Sequence, residues 1–336
     1  MRGELGFRGF RPTIEGEARE AAKWAERESG ARRDLTALAT FTVDPATARD
    51  FDDAVSAQLE GDGARVWIHI ADVAAHVKPG SLLDQEARRR GNSTYVPGLV
   101  EPMLPHPLSS EACSLVPGVE RLAVTTEIEL GPGTEPRRTR FYRSRIRSDA
   151  RLSYDQLDEI FAGRERPPAE VAEPLEAARL VAAGLGERRA AASLDVESFE
   201  PEFRFDGEGN VVAAHGVEQT EAHRLIERLM ILNNEQVAQL LERERVPAVY
   251  RVHPQPDAAR IERLLEQLAA LGIPTPPLEQ GLAPREAGRV AAEASRLARR
   301  EAGRRGHGQE AYTSLVLRSL KQAYYSERNI GHAGLG

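Results

Sequence analysis

Apolar residues recur along this chain in two different rhythms. In the first two-thirds they come in short runs rich in β-branched residues. "ATFTV", ending at Asp44, reads as a strand. "ARVWIHIADVAAHV", from Ala64 to Val77, is almost continuously apolar at its centre, which predicts a strand covered on both faces. Gly61-Asp62-Gly63 separates it from the run Asp53–Leu59 and predicts a hairpin. "RLAVTTEIEL" alternates, and "RTRFYRSRIRS" is its expected partner across the turn at Gly131–Gly133. "LDVESFEPEFRFDGEGNVVAAHGV" holds further strands, joined at Asp206-Gly207-Glu208-Gly209.

The second rhythm is helical. Ser81 with Asp84 three residues on predicts a capped helix that stops at Gly91. A similar short helix runs from Ser153 to Gly163. Pro-rich 167–174 leads into a helix up to about Ala192, and an amphipathic helix spans Thr220 to about Glu244. Three more helical stretches fall near 257–271, 284–304 and 308–325. Residues 93–118, rich in Pro and Ser, read as an ordered, irregular loop. Residues 1–35 are charged and helix-leaning without a strong apolar stripe, and read as a lead-in segment. The expected fold is therefore α+β: mainly antiparallel strands in the first two-thirds, flanked by helices, and a helical C-terminal part.

With 336 residues, 41% of them hydrophobic, the chain can bury a sizeable core. It has no apolar run of about 18 residues, so no membrane span is expected. "MRGELGFRGFRPTIEGE" has no apolar h-region of a signal peptide. The single cysteine, Cys113, excludes an intrachain disulfide and fits a reducing, cytoplasmic setting. A monomer with no obligate protein partner is expected. The net charge of −7 argues against a general nucleic-acid binder, although charge distribution matters more than its sum. Of the 45 basic side chains only Lys23, Lys78 and Lys321 are lysine. Arginine suits phosphate recognition, but the codon bias of a GC-rich genome explains the same excess. Arginines 137, 138, 140, 143, 145 and 147 read as a charged, solvated edge strand. His69 reads as a core histidine and Cys113 as a small buried residue.

The chemistry concentrates in "DPATARDFDD", where Asp44, Asp50, Asp52 and Asp53 fall within ten residues between two strands. Asp is common in turns, so a solvated acidic turn is one reading. Two features weigh against it. Phe51 and the following Ala-Val tie the loop into the next strand, and Arg49 is the nearest cation in sequence against four carboxylates. A divalent cation would resolve the repulsion. Mg²⁺ takes hard oxygen ligands, and two ions about 4 Å apart assist phosphoryl transfer. An EF-hand does not fit, because the loop lacks its glycine and its glutamate spacing.

"FTVDPATARDFDDAV" resembles the signature of the ribonuclease II/ribonuclease R family, 3′→5′ exoribonucleases with an RNB catalytic domain. The resemblance continues through "WIHIADVAAHVKPGSLLDQEARRRGNSTYVPGLVEPMLPHPLSSEACSL", "ARLSYDQL", "HRLIERLMILNNEQVA", "YRVHPQPD" and "LRSLKQAYYSERNIGHAGLG". It places an RNB-type catalytic domain over residues 36–336. It implies a Mg²⁺-dependent hydrolase, with two ions and with Mn²⁺ able to substitute, that releases nucleoside 5′-monophosphates from the 3′ end of single-stranded RNA. Asp44, Asp50, Asp52 and Asp53 would form the metal site. Asp44 and Asp53 would be the direct ligands, Asp52 would position water or the second ion, and Asp50 would support the geometry. Tyr95 would stack on the terminal base, and Glu227 would lie near the terminal nucleotide. Arg251 and His253 could face RNA or serve the structure. The opposite stacking aromatic of the family falls at Val196 or Glu197, with Phe199 nearby, and Arg228 stands where a second Glu is common. The family's Thr-Ser-Pro-Ile-Arg-Arg-like segment, which grips phosphate, would follow Gly336. The catalytic domain is therefore expected to be incomplete at its C-terminus, and cold-shock and S1 flanks are not visible. The alternatives are a non-catalytic RNA-binding or regulatory remnant and a metal-dependent phosphatase of another fold.

Overall fold

The computed structural model describes residues 8–27, 31–96, 99–190, 200–206, 211–217, 219–277 and 283–335. The chain forms two compact units, one from residues 1–182 and 201–233, the other from 183–200 and 234–336.

The first unit carries α1 (Pro12–Arg27), β1 (Arg33–Asp34), β2 (Phe41–Asp44), β3 (Asp53–Glu60), β4 (Gly63–Ala71), α2 (Val73–His76), α3 (Leu82–Arg90), β5 (Thr94–Val96), β6 (Leu99–Glu101), β7 (Glu120–Leu130), β8 (Pro136–Arg147), β9 (Ala150–Ser153) and α4 (Tyr154–Phe161). Next come α5 (Ala172–Arg189), β10 (Glu200–Phe205), β11 (Val211–Val217) and α6 (Glu221–Arg243). Seven strands make one sheet in the order β1-β8-β7-β4-β3-β2-β9. The expected hairpins β3–β4 and β7–β8 are both present and antiparallel. Gly61 supplies the positive φ that the first of these turns needs. β9 was not expected from the sequence. It lies parallel to β2 at the sheet edge, with Asp44 opposite Ser153.

Phe41, Val66, Ile68, Ile128 and Ile146 are all fully buried on this sheet, each stabilising by roughly 1.5–3 kcal/mol. A polar chain crosses the same sheet. Thr40 Oγ1 meets Ser56 Oγ at 2.8 Å, Ser56 Oγ meets His69 Nε2 at 3.2 Å, His69 Nδ1 meets Thr125 Oγ1 at 2.8 Å, and Thr125 Oγ1 meets Ser144 Oγ at 2.6 Å. All five residues are 0% exposed. His69 is thus a core histidine, as the sequence suggested. Burial pushes its pKa down to about 3, so the neutral ring donates from one nitrogen and accepts at the other.

Some expectations change. The run to Val77 leaves the sheet after Ala71. There Arg32 and Asp72 form a buried ion pair at 2.7 Å, and Val73–His76 coils into α2. Residues 93–118 are not all irregular: they hold the β5–β6 hairpin and a wide helical turn at Pro107–Ala112. α1 is charged overall, yet Ile14 and Ala18, one turn apart, pack into a core with Phe51, Ala54, Leu83 and Leu115.

The second unit is mainly helical, with β12 (Tyr250–Val252), α7 (Ala258–Ala270), α8 (Pro284–Arg305), α9 (Gln309–Ser319) and β13 (Tyr324–Ser326). α8 presents Ala287, Ala291, Ala294 and Ala298 to a core that includes Ile261, Leu264 and Leu268 of α7 and Tyr312 and Val316 of α9. The last helix ends earlier than its sequence pattern suggested, because Leu320 turns extended and the chain re-enters as β13, antiparallel to β12. Among the described residues, no helix is long and apolar enough to cross a membrane.

Candidate acidic active site

β2 ends on Asp44 and β3 begins on Asp53, so the loop Pro45–Asp52 carries the rest of the cluster between two paired strands. The loop is pinned along its length. The Phe51 ring is buried in the core. Phe51 N donates to Ser114 Oγ at 3.0 Å, and that hydroxyl donates to Arg49 O at 3.5 Å. Leu115 N donates to Phe51 O at 2.8 Å, and Ala71 N to Asp52 O at 2.9 Å. At the loop's start, Arg151 Nη2 donates to Pro45 O at 3.1 Å and to Ala46 O at 2.9 Å.

The carboxylates are held in an unfavourable setting. Asp44 is 8% exposed. Burial pushes its carboxyl up to about 7, helped by Asp53 and Asp52 and partly offset by Thr42 and Arg151. Burial, then Asp52, lifts Asp53 to about 6. Asp52 opens to solvent, and the desolvation it does suffer, with Asp50 beside it, still raises its pKa. Asp44 Oδ2 and Asp53 Oδ2 are buried and have no hydrogen-bond partner among the described residues. An unpartnered buried carboxylate oxygen is costly unless something else satisfies it.

Tyr154 and His223 join this site, and sequence reasoning missed both. The Asp44–Ser153 pairing sets Tyr154 beside the cluster. Its hydroxyl is pushed up to about 12 by burial, then by Asp53 and Asp44. Its ring stacks on His223 of α6 with centroids 4.0 Å apart and planes 11° apart. His223 Nδ1 in turn meets Thr220 Oγ1 at 2.7 Å. The available signal was the capped start "LSYDQ", whose capping box of Ser153 and Gln156 is formed; its closeness to Asp44 depends on a parallel pairing that no local pattern announces.

Glu227 is exposed on α6, one turn beyond His223 and on the same helical face. Tyr95 is 67% exposed on the β5–β6 hairpin, with its ring available for contact. Arg251 and His253 lie in the second unit. Arg251 is exposed, with its guanidinium 5.0 Å from the centre of the Tyr325 ring. His253 is half-buried: its Nε2 meets Lys321 O at 2.8 Å, and its backbone bonds to Gly331 and Ala333. Val196, Glu197 and Phe199 lie outside the described residues. The β8 arginines do not lie on the expected edge strand, because the short β1 pairs outside β8, and they are spent largely on carboxylates of the sheet, with Arg140 on Glu127 at 2.8 Å and Arg145 on Glu120 at 3.3 Å. Cys113 is buried, and burial pushes its thiol up to about 12, which suits packing and not nucleophilic attack.

A divalent cation fits the donor chemistry. Hard carboxylate oxygens left buried and unpartnered on Asp44 and Asp53 are what such an ion takes. The carboxylates are not gathered around a common point, however. Among the described residues, no three His, Cys, Asp or Glu side chains stand in metal-holding geometry. The fit therefore rests on the Asp44–Asp53 pair with Asp52 at its edge.

The RNB domain family model matches residues 32–336. The chain is 38% identical to ribonuclease R of Vibrio parahaemolyticus over 311 residues, covering 90% of this chain and 36% of that protein. It is 35% identical to ribonuclease R of Escherichia coli over 315 residues, covering 92% and 38%. Among solved structures, Mycoplasma genitalium RNase R in complex with ribose methylated single-stranded RNA superposes with a TM-score of 0.87 at 29% identity, covering 97% of this chain and 50% of that one. The chain belongs to the RNB family. It spans less than half the length of the Vibrio and Escherichia relatives and half of the Mycoplasma one. Yeast Ssd1, described as a pseudonuclease, shares the fold at a TM-score of 0.69 and 18% identity, covering 91% of this chain and 37% of that one. The fold alone therefore does not decide activity; the site must.

Proposed function

We propose that this chain is the catalytic region of a divalent-metal-dependent 3′→5′ exoribonuclease acting on single-stranded RNA, with residues 36–336 as the catalytic domain and 1–35 as its lead-in. The observation that carries the reading is the buried, unpartnered pair of oxygens on Asp44 and Asp53, set in a loop fixed at both ends. Asp44 and Asp53 would hold a divalent cation, Mg²⁺ by preference, which would supply charge neutralisation and Lewis-acid assistance at a phosphate. The rest is done by the chain. Asp44 and Asp53 supply ligand oxygens from two strand ends. Asp52, exposed at the mouth, orients the attacking water, and Asp50 holds the loop's charge pattern. Tyr95 offers a sequence-tolerant stacking face, a contact type worth roughly 1–3 kcal/mol per base. Glu227, on the face that also bears His223, reaches the terminal nucleotide, and Arg251 offers a peripheral phosphate contact. Support for RNA comes from the M. genitalium relative, whose structures hold single-stranded and double-stranded RNA. A cytoplasmic monomer is the setting we infer.

The test is direct. Incubated with 5′-labelled single-stranded RNA and Mg²⁺, the chain shortens it stepwise, and both EDTA and Asp52→Asn abolish the shortening. Shortening that ignores both overturns the reading. One observation favours a second reading, a non-catalytic RNA-binding member of the family: the carboxylates are not gathered into a three-ligand set. RNA retention without cleavage, in either Mg²⁺ or Mn²⁺, selects it.

A further inference from the structure

Four carboxylates crowd one short loop and the strand ends that flank it, and a small set of contacts holds that loop to a defined path. Much of that order traces to one side chain. Arg151 stands on β9, opposite Thr42 of β2 in the parallel register, two residues before the strand ends at Asp44. Its Nη2 donates to two successive carbonyls, Pro45 O and Ala46 O, which fixes the direction in which the chain leaves the strand. Its guanidinium lies 4.9 Å from the centre of the Phe51 ring, near the loop's other end. One planar side chain thus spans the loop from its first residue to its next-to-last. Its Nε is buried and has no hydrogen-bond partner among the described residues, so the contacts that place the guanidinium are the two carbonyls and the ring.

We infer that Arg151 is a positioning residue for the aspartate loop, a strap that holds the metal-binding carboxylates in place before the cation arrives. The inference rests on the metal site proposed above and deepens it. Geometry carries the role more than charge does. Arg151 does ease Asp44, but less than burial opposes it. A guanidinium can hold two carbonyls and stack on a ring at once, whereas an ammonium can do only part of this. Ser114 is the second anchor, at the loop's exit, and it uses no charge.

Two measurements on the chain of residues 1–336 separate this claim from the one it rests on. The first is hydrogen exchange in the metal-free protein. Arg151→Met speeds exchange at Ala48 and through residues 45–52, while β4 and β7 keep their protection. The second is Mn²⁺ binding followed by electron paramagnetic resonance at a temperature where each variant is fully folded. Arg151→Met weakens it about tenfold, the usual range for losing a group that orients metal ligands, and Arg151→Lys falls between the two. If the wild-type chain binds no Mn²⁺, the metal-site reading fails while the exchange result still decides whether Arg151 holds the loop. Unchanged exchange at 45–52, or Mn²⁺ binding in Arg151→Met that is equal to or tighter than wild type, overturns the strap.

Discussion

Two polar regions of one sheet are treated in opposite ways. In the chain from Thr40 through His69 to Ser144, each link is hydrogen-bonded to the next, and all are buried. In the aspartate loop, Asp44 Oδ2 and Asp53 Oδ2 are equally hidden and have no partner. The protein could not afford many such groups, since each costs about 1–3 kcal/mol. The first region is polar structure, closed on itself. The second is left open, and its deficit is one a cation could fill. Burial alone does not mark a functional residue; burial without a partner, inside a rigid frame, does so better.

The comparison can be broken most forcefully at its closed end. His69→Leu removes the middle of the polar chain and leaves Ser56 and Thr125 each short of a partner. It should cost about 2–4 kcal/mol, read as a lower urea midpoint; a loss under half a kcal/mol would show that the chain is not structural. The next largest effect has the opposite sign. Asp44→Asn should stabilise the metal-free protein at pH 8 by about 1–3 kcal/mol, because it removes a buried negative charge. The same denaturation series checks it, and destabilisation would contradict an unsatisfied carboxylate.

The two regions also respond oppositely to pH. Asp44, at about 7 when folded against an ordinary 3.8, gives stability that is complete below about pH 4 and lost as pH rises through 7. His69, at about 3 against 6.5, gives stability that is complete above about pH 6.5 and lost as pH falls toward 3. Asp44→Asn should therefore flatten the fall in metal-free stability as pH rises from 4 to 7, and His69→Leu the fall as pH drops below about 6.5. Urea midpoints across pH 4–8 test this, and identical profiles for the two variants would sink it. The smallest effect belongs to the exposed face of β8: Arg138→Ala should change stability by less than about 0.5 kcal/mol. A larger loss in thermal melting would mean that this face of β8 is not the solvated surface its charge suggests.

Much of the candidate site was legible in the chain. The aspartate spacing, the strand before it and the Phe51 anchor all lie within fifteen residues, from Phe41 to Val55, and local pattern carries them. What stayed hidden depends on long-range pairing. Arg151 and Tyr154 reach the loop because β9 pairs in parallel with β2 across more than a hundred residues. Ser114 does so from inside a Pro- and Ser-rich stretch that reads as loop. The polar chain was invisible for the same reason. Thr40, Ser56, His69, Thr125 and Ser144 are single polar positions in separate runs, and only the sheet register lines them up. β12 and β13 are three residues each, too short for a periodicity to show.

The central claim is that the aspartate loop is a frame waiting for a divalent cation. The most direct measurement is thermal melting at pH 8 as Mg²⁺ is titrated, with wild type compared with the Asp44→Asn/Asp53→Asn double variant. The wild-type melting temperature should start lower and climb with Mg²⁺, while the double variant starts higher and does not respond. Equal responses in the two proteins, or none in the wild type, would contradict the account.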